Sequence, residues 1–137
     1  MADALLDTGP LVALLNRSER NHRWCREFFQ GFRGRLLTTE PVLTEAVYLL
    51  GSNVTNQKPA LDFFLQGGAE LVPLTPSLLK RAATLMAKYA DVPMDFADAT
   101  LVALAEESGI CDVLTLDRRG FTVYRAGKNK GFRIAPE

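Results

Sequence analysis

The sequence predicts a three-layer α/β fold, in which helices flank both faces of a central, mostly parallel sheet. Short apolar runs rich in β-branched residues alternate with longer segments whose apolar residues recur at helical spacing. Strands that alternate with helices are typical of parallel sheets covered on both faces. The length of 137 residues and the apolar fraction of 47% suit one domain, spanning residues 1–137, with its own hydrophobic core.

Short apolar runs next to turn residues predict the strands. We place strands at residues 4–6, 35–38, 70–72 and 112–116, with further edge strands near Val123 and Ile134. Gly67 and Gly68 provide the turn that leads into the third strand.

Caps and helix-breaking residues predict the helices between these strands. Pro10 suits the first turn of one helix, and Asn21 can cap a second helix that runs to residue 32. Pro41 opens a third helix, which Gly51 ends. We place the remaining helices at residues 59–66, 76–89 and 95–108, the last closed by Gly109, and a polar loop at residues 52–58.

The charge balance gives no global indication of a nucleic-acid partner. The chain has 16 basic and 16 acidic residues, so it lacks the strongly basic balance of many nucleic-acid-binding proteins. Basic residues are nevertheless concentrated at residues 17–35 and after Asp117. These regions could contact phosphates or form solvated helix and loop faces, and the charge count leaves both interpretations open.

Neither the cysteines nor the N-terminal residues indicate an extracellular or membrane protein. Cys25 and Cys111 lie far apart and form no C-x-x-C pair, so neither a zinc site nor a disulfide framework is indicated. No segment resembles a secretory signal, and no apolar run approaches membrane-spanning length. We therefore expect a cytoplasmic protein with reduced thiols.

Two aspartates directly follow predicted strands. Asp7 comes after the run Ala-Leu-Leu, and Asp117 comes after Val-Leu-Thr-Leu. In open α/β sheets the ligand site lies at the carboxyl ends of the strands, so both residues are candidates for one shared site. Each also has a structural interpretation, because Asp7 can cap the helix near Pro10 and Asp117 can form an Asx turn.

Glu45 is the only charged residue between residues 41 and 57. At helical spacing its neighbours are Val42, Tyr48 and Leu49, which places the carboxylate among apolar side chains. A half-buried carboxylate is costly unless it is paired, hydrogen-bonded or bound to a cation, and no Lys or Arg lies one turn away. A distant salt bridge and a bound cation both remain open as explanations.

Asp95 and Asp98 open the helix predicted at residues 95–108. Asp95 suits the N-cap position, and a carboxylate three residues later suits a capping box and favours the helix dipole. The same spacing places both carboxylates on one side of the first turn, which suits metal binding equally well.

Carboxylates gathered from different elements are the ligands that Mg²⁺ and similar hard cations take. Without a cation they would repel one another, and their pKa values would rise. A bound divalent cation activates water and stabilises the charge of a phosphodiester during cleavage, so this chemistry needs no histidine, serine or cysteine nucleophile. The single histidine, His22, has no carboxylate partner nearby in sequence and is interpreted as a helix-surface residue.

Four segments of the sequence together resemble a known family. They are ALLDTGPLVALLN, LTTEPVLTEAVYLL, MDFADATLVALAEE and VLTLDRRGFTVYR. Each is a weak motif alone, but their order, spacing and the total length are specific. The chain resembles the PIN domain family over nearly its whole length, and most closely the VapC-type toxin ribonucleases of bacterial toxin–antitoxin pairs.

The resemblance implies a metal-dependent endoribonuclease that hydrolyses RNA phosphodiester bonds with Mg²⁺ or Mn²⁺ as cofactor. The residues that match the family's acidic positions, and would be both catalytic and metal-binding, are Asp7, Glu45, Asp98 and Asp117. Thr8 and Thr115 match hydroxyl positions beside the first and last acids, where they would order ligands or water. Asp95 would be a further ligand, a supporting residue or only the helix cap. The resemblance also implies a homodimer and, for a toxin, a small antitoxin partner.

Arg118 and Arg119 directly follow Asp117 and are candidates for contacts with the phosphates of an RNA substrate. Two alternatives differ from a nuclease. An interaction module would keep the fold without turnover, although all the matching acids are present. A phosphotransfer or phosphatase domain would also place aspartates at strand ends, but Asp7 precedes Thr-Gly-Pro instead of completing a D-x-D pattern, and no lysine suitably follows a late strand.

Overall fold

A parallel sheet forms the centre of the computed structural model, which describes residues 2–136. Within these residues the sheet has five strands: β1 (Ala4–Leu6), β2 (Leu36–Thr39), β3 (Glu70–Val72), β4 (Asp112–Leu114) and β5 (Arg133–Ala135). Their spatial order is β3-β2-β1-β4-β5, and every pairing between them is parallel. The predicted strands are confirmed at all five places except for small differences at their ends.

Helices connect these strands. In the part of the chain that the structure describes they are α1 (Thr8–Leu15), α2 (His22–Gly31), α3 (Glu40–Leu49), α4 (Val54–Leu65), α5 (Pro76–Lys88), α6 (Phe96–Ser108) and α7 (Arg118–Phe121). None of these helices has the length and apolarity needed to cross a membrane.

Alternate residues of the central strands face two separate apolar clusters. Leu5 and Val113 pack with residues of α5 and α6, whereas Leu6 and Leu114 pack with residues of α1, α3 and α4. Successive side chains of a strand point to opposite faces, so a strand with a core on each side is apolar throughout. The predicted three-layer α/β/α arrangement is confirmed.

The helix α6 has the ends that the sequence predicts. The carboxylate of Asp95 accepts a hydrogen bond from the backbone N–H of Asp98 at 2.8 Å, which caps the first turn. Gly109 ends the helix with a φ of 79°, a left-handed conformation that glycine adopts without a steric penalty.

The predicted polar loop at residues 52–58 is wrong, because α4 begins inside it at Val54. Asn53 acts as the cap, since its side chain accepts a hydrogen bond from the backbone N–H of Thr55 at 2.9 Å. Pro59, which was expected to open the helix, lies inside it. The early cap and the packing of Ala60 against the core outweigh the missing backbone donor of the proline.

The predicted edge strand near Val123 is also wrong. Asp117 instead initiates the short helix α7, and its Oδ1 accepts a hydrogen bond from the backbone N–H of Gly120 at 3.1 Å. The backbone N–H of Val123 then bonds back to the carbonyl of Gly120, which keeps the chain in a turn. The strand predicted near Ile134 is β5.

Candidate functional site

Asp7 lies at the carboxyl end of β1, next to Thr115 at the end of β4. The strand register pairs Leu6 with Leu114, so the residues that follow them become neighbours. The Thr115 hydroxyl donates a hydrogen bond to Asp7 Oδ2 at 2.7 Å, and both side chains are buried. Although Asp7 occupies the N-cap position of α1, its side chain makes no capping hydrogen bond. Asp7 therefore lies at the predicted cap position, but its carboxylate does not cap the helix.

Thr115 also connects Asp7 to Asp117. The backbone N–H of Asp117 donates to the Thr115 hydroxyl oxygen at 2.9 Å. Thr115 thus accepts from one aspartate while it donates to the other, which fixes the direction of its hydroxyl proton. Since Asp117 Oδ1 accepts the Gly120 N–H, the predicted turn role of Asp117 is real and coexists with its place at this edge.

The structure separates the roles of Asp95 and Asp98. Asp95 is exposed and its carboxylate caps α6, whereas Asp98 is only 8% exposed. The hydroxyl of Tyr124 donates a hydrogen bond to Asp98 Oδ2 at 3.1 Å. Of these two acids, Asp98 is therefore the one that is buried, and it lies within electrostatic reach of Asp7.

Glu45 lies on α3, half-buried and without a protein partner. Its side chain makes no hydrogen bond or ion pair with any residue of the described range 2–136. Val42 is buried as predicted, but Tyr48 and Leu49 are 79% and 53% exposed, so the surroundings are more open than the sequence suggested. A distant salt bridge does not account for this residue.

The acids at this edge influence one another electrostatically. Burial raises the pKa of Asp7 to about 6; the hydrogen bond from Thr115 opposes this shift, and the charges of Glu45 and Asp117 add to it. Burial also raises the pKa of Asp98, with further increases from the charges of Asp7 and Asp95. These mutual effects show that the acidic side chains lie within electrostatic reach of one another.

Comparison with known proteins assigns the chain to a family. A model of the PIN domain matches residues 4–127. The chain belongs to the PIN domain family. Ribonuclease VapC26 from Mycobacterium tuberculosis is 31% identical over 134 residues, which are 96% of this chain and 99% of that protein.

Solved structures share the PIN domain fold. The crystal structure of M. tuberculosis VapC20, a sarcin-ricin loop cleaving toxin, has a TM-score of 0.75 at 20% identity and covers 80% of this chain and 86% of that one. VapBC2 from Rickettsia felis, bound to a DNA fragment from its promoter, has a TM-score of 0.66 at 14% identity, with 98% of both chains covered. A toxin–antitoxin complex from Klebsiella pneumoniae has a TM-score of 0.64 at 18% identity, with 88% and 91% covered.

The donor set of this PIN domain suits a hard divalent cation, although the ligand sphere is not closed. Within residues 2–136, no three Asp, Glu, His or Cys side chains lie close enough together to hold one metal ion as they stand. The available donors are nevertheless carboxylate oxygens, and in the described part of the chain they have no cationic partner. In the same part of the chain, the buried hydroxyl of Thr8, which follows Asp7, has no hydrogen-bond partner. A cation would offset the repulsion, and a ligand or water bound with it would satisfy Thr8.

An open groove of about 720 Å³ meets the site at Glu45. It lies between the first turns of α3 and α6 and is lined by Glu40, Pro41, Thr44, Glu45, Tyr48, Leu74, Asp95, Phe96 and Ala97. Acidic and aromatic side chains share its walls, whereas Asp7, Asp98 and Asp117 lie outside them. A polymer could occupy the groove with one segment near Glu45.

The arginines after Asp117 differ in their contacts. The guanidinium of Arg118 donates a hydrogen bond to the carbonyl of Pro136 at 2.9 Å, so Arg118 supports the C-terminal segment. Arg119 is exposed and makes no such bond within the described chain. In the basic region at residues 17–35, Arg23 and Arg35 form exposed ion pairs with Glu27 and Asp3, as the structural interpretation of that region predicts.

The sequence interpretation missed Tyr124. It lies 26 positions after Asp98, beyond α7, and no local spacing rule connects the two. A weak signal was available, since a buried tyrosine needs a partner for its hydroxyl and a carboxylate is the strongest acceptor.

Proposed function

We propose that this PIN domain protein is a metal-dependent endoribonuclease that hydrolyses RNA phosphodiester bonds. The observation that carries the proposal is a set of carboxylates at the carboxyl ends of the strands that have no cationic partner among residues 2–136, two of which, Asp7 and Asp98, have raised pKa values. The similarity to a protein named as a ribonuclease, at 31% identity over nearly the full length of both chains, supports RNA as the substrate.

The residues that would hold Mg²⁺ or Mn²⁺ are Asp7, Glu45, Asp98 and Asp117. When bound, such a cation supplies activation of water and stabilisation of the charge that develops on the phosphate. Thr115 orients Asp7 through its hydroxyl hydrogen bond, and Asp95 holds the first turn of α6 so that Asp98 remains in place.

The substrate would be aligned by groups around the acids. The groove beside Glu45 offers space for one segment of an RNA strand, and the exposed ring of Tyr48 offers a face on which a base can stack. Arg119 is the arginine that remains available for a phosphate contact, because Arg118 bonds to Pro136. Thr8 would orient a ligand or water close to Asp7.

The test is cleavage of an end-labelled RNA by the purified protein with Mn²⁺ or Mg²⁺. Cleavage should require the cation, stop with EDTA and be lost in Asp7→Asn, which removes the charge but keeps the shape and the acceptor for Thr115. Cleavage that persists both with EDTA and in Asp7→Asn would identify a contaminant and remove the support. A folded protein that binds Mn²⁺ but cuts no RNA would favour an interaction module.

We also propose that the protein is the toxin of a toxin–antitoxin pair and a homodimer with a small antitoxin partner. The support is that one solved structure with the same fold is a toxin–antitoxin complex from Klebsiella pneumoniae, and another is a member of the VapBC family of toxin–antitoxin systems from M. tuberculosis. The test is to co-express the chain with a small open reading frame immediately upstream of its gene. Co-purification of the two products, with loss of RNA cleavage, supports the pair, and the sedimentation mass of the chain alone tests the dimer.

A further inference from the structure

The hydroxyl of Tyr124 is aimed at one oxygen of one site acid. Tyr124 is 1% exposed, and its hydroxyl donates to Asp98 Oδ2 at 3.1 Å. The other oxygen, Asp98 Oδ1, accepts no hydrogen bond from residues 2–136. The two oxygens of the Asp98 carboxylate therefore differ: Oδ2 accepts the tyrosine hydroxyl, and Oδ1 is free to bind another group.

Packing fixes the direction of this hydroxyl. The ring of Tyr124 makes edge-to-face contacts with Tyr89 and Phe121, with both pairs of ring centroids 5.2 Å apart. Because the ring is packed on two sides, its side-chain rotamer is already fixed. The hydroxyl therefore keeps its direction, and no further side-chain entropy is lost when a ligand binds.

Gly120 brings the same hydroxyl close to a second acid. A Cβ atom at Gly120 would lie 2.8 Å from the Tyr124 hydroxyl and 2.6 Å from Asp117 Oδ2. The Tyr124 hydroxyl and Asp117 Oδ2 thus both pack against the backbone of Gly120, whose N–H also donates a hydrogen bond to Asp117 Oδ1. The absence of a side chain at this position allows the tyrosine and Asp117 to occupy adjacent places.

We propose that Tyr124 is a positioning residue for the cation site, holding Asp98 Oδ2 so that Oδ1 is presented to the cation. The inference rests on the proposed function, because it assigns Asp98 as a ligand. Groups that hydrogen-bond to metal ligands fix their orientation, and their loss typically lowers metal affinity or activity by about 10- to 100-fold. Here the orienting group lies on a turn after α7 and not on the helix that carries Asp98.

Tyr89 offers a matched control. It is 8% exposed, belongs to the same aromatic cluster and contacts the ring of Tyr124. Its hydroxyl accepts a hydrogen bond from the backbone N–H of Arg125 at 2.9 Å, and among the described residues it forms no hydrogen bond with a site acid. Tyr124→Phe and Tyr89→Phe each remove one buried hydroxyl from this cluster, but only the first removes a bond to Asp98.

The experiment measures the Kd for Mn²⁺ by calorimetry, the midpoint of thermal unfolding, and RNA cleavage for the three proteins. Tyr124→Phe should raise the Kd for Mn²⁺ by about 10-fold and lower cleavage at subsaturating Mn²⁺, with partial recovery at high Mn²⁺. Tyr89→Phe should change the Kd by less than about twofold, whatever its effect on stability.

An unchanged Kd in Tyr124→Phe, or an equal rise in both variants, would overturn the inference, the second by showing that the effect is general packing. If Tyr124→Phe does not fold at room temperature, the Kd values of all three proteins are compared at lower temperature in the presence of sucrose, which favours the folded state without touching Gly120 or Asp117. A wild-type protein that neither binds Mn²⁺ nor cuts RNA refutes the proposed function itself, whereas binding that is indifferent to Tyr124 refutes only the positioning role.

Discussion

The two ends of the parallel strands, the amino edge and the carboxyl edge of the sheet, differ in whether their acidic side chains form ion pairs. At the amino edge, Asp3 forms an ion pair with Arg35 at 3.1 Å, and Asp112 at the start of β4 forms one with Arg133 at 2.6 Å. At the carboxyl edge, neither Asp7 nor Asp117 forms an ion pair with any residue of the described chain.

The contrast is sharpest along β1, where Asp3 and Asp7 flank a single strand. Hydrogen bonds from Arg35 lower the pKa of Asp3, whereas burial raises the pKa of Asp7 to about 6. At the amino edge, arginine side chains therefore neutralise the acids. At the carboxyl edge, the negative charge is available to a bound cation. In an open α/β sheet that second edge is where ligands bind.

The segment around β4 provides the largest test of this difference, because Asp112 begins the strand and Asp117 follows its carboxyl end by three residues. Asp117→Asn should lower RNA cleavage by at least about 100-fold, since it removes a negative charge from the proposed cation site. Asp112→Asn should leave cleavage within about twofold and cost less than about 1 kcal/mol, because it loses an exposed ion pair. Initial cleavage rates at saturating Mn²⁺ check the first, and urea unfolding checks the second. Equal losses of cleavage in Asp117→Asn and Asp112→Asn would show that the acids of the two edges do not differ in function.

Sequence alone predicted much of this arrangement, because strands and caps are set locally. The apolar runs of the central strands, the Asp95 cap and the Gly109 stop each depend on a few adjacent residues, and all are confirmed. The predicted start of α4 was wrong because Asn53 and Pro59 are both suitable helix starts, and the earlier one forms with the Asn53 side chain capping the Thr55 N–H.

The details of the site were less accessible to sequence reasoning, because they depend on distant residues. The bond between Tyr124 and Asp98 forms where the turn after α7 meets α6, and the bond between Thr115 and Asp7 forms where β4 pairs with β1. The choice of Asp98 over Asp95 depended on family resemblance, and the burial of only Asp98 now gives it a physical basis. The assignment of the acids as metal ligands stays a prediction.

A smaller effect should come from Thr115, which links two acids of the carboxyl edge. Thr115→Val keeps the shape but removes the hydroxyl that donates to Asp7 and accepts from the backbone of Asp117, so Mn²⁺ affinity should fall by about 10-fold. Thr115→Ser retains the hydroxyl and should recover most of that loss. Calorimetric titration with Mn²⁺ compares the two. Similar affinities in Thr115→Val and the wild type would mean that the bond to Asp7 serves packing alone.

The smallest effect concerns stability against pH in metal-free buffer. Because the pKa of Asp7 rises from 3.8 to about 6 on folding, the folded state binds its proton more tightly, and stability falls as pH rises through this interval. The raised pKa of Asp98 extends the fall to higher pH. Asp3 and Glu106 have lowered pKa values, so their stabilising contributions are already complete by about pH 5.

The free energy of unfolding should therefore decrease by roughly 1–3 kcal/mol between about pH 5 and about pH 8. Urea unfolding across that range should show a flatter profile in Asp7→Asn and an unchanged slope in Asp3→Asn. Added Mn²⁺ at the upper end should restore stability, because a cation that binds only the folded state stabilises it by mass action. A profile that rises with pH, or one that Asp3→Asn alters as much as Asp7→Asn, would show that the unpaired charge does not reside at the carboxyl edge.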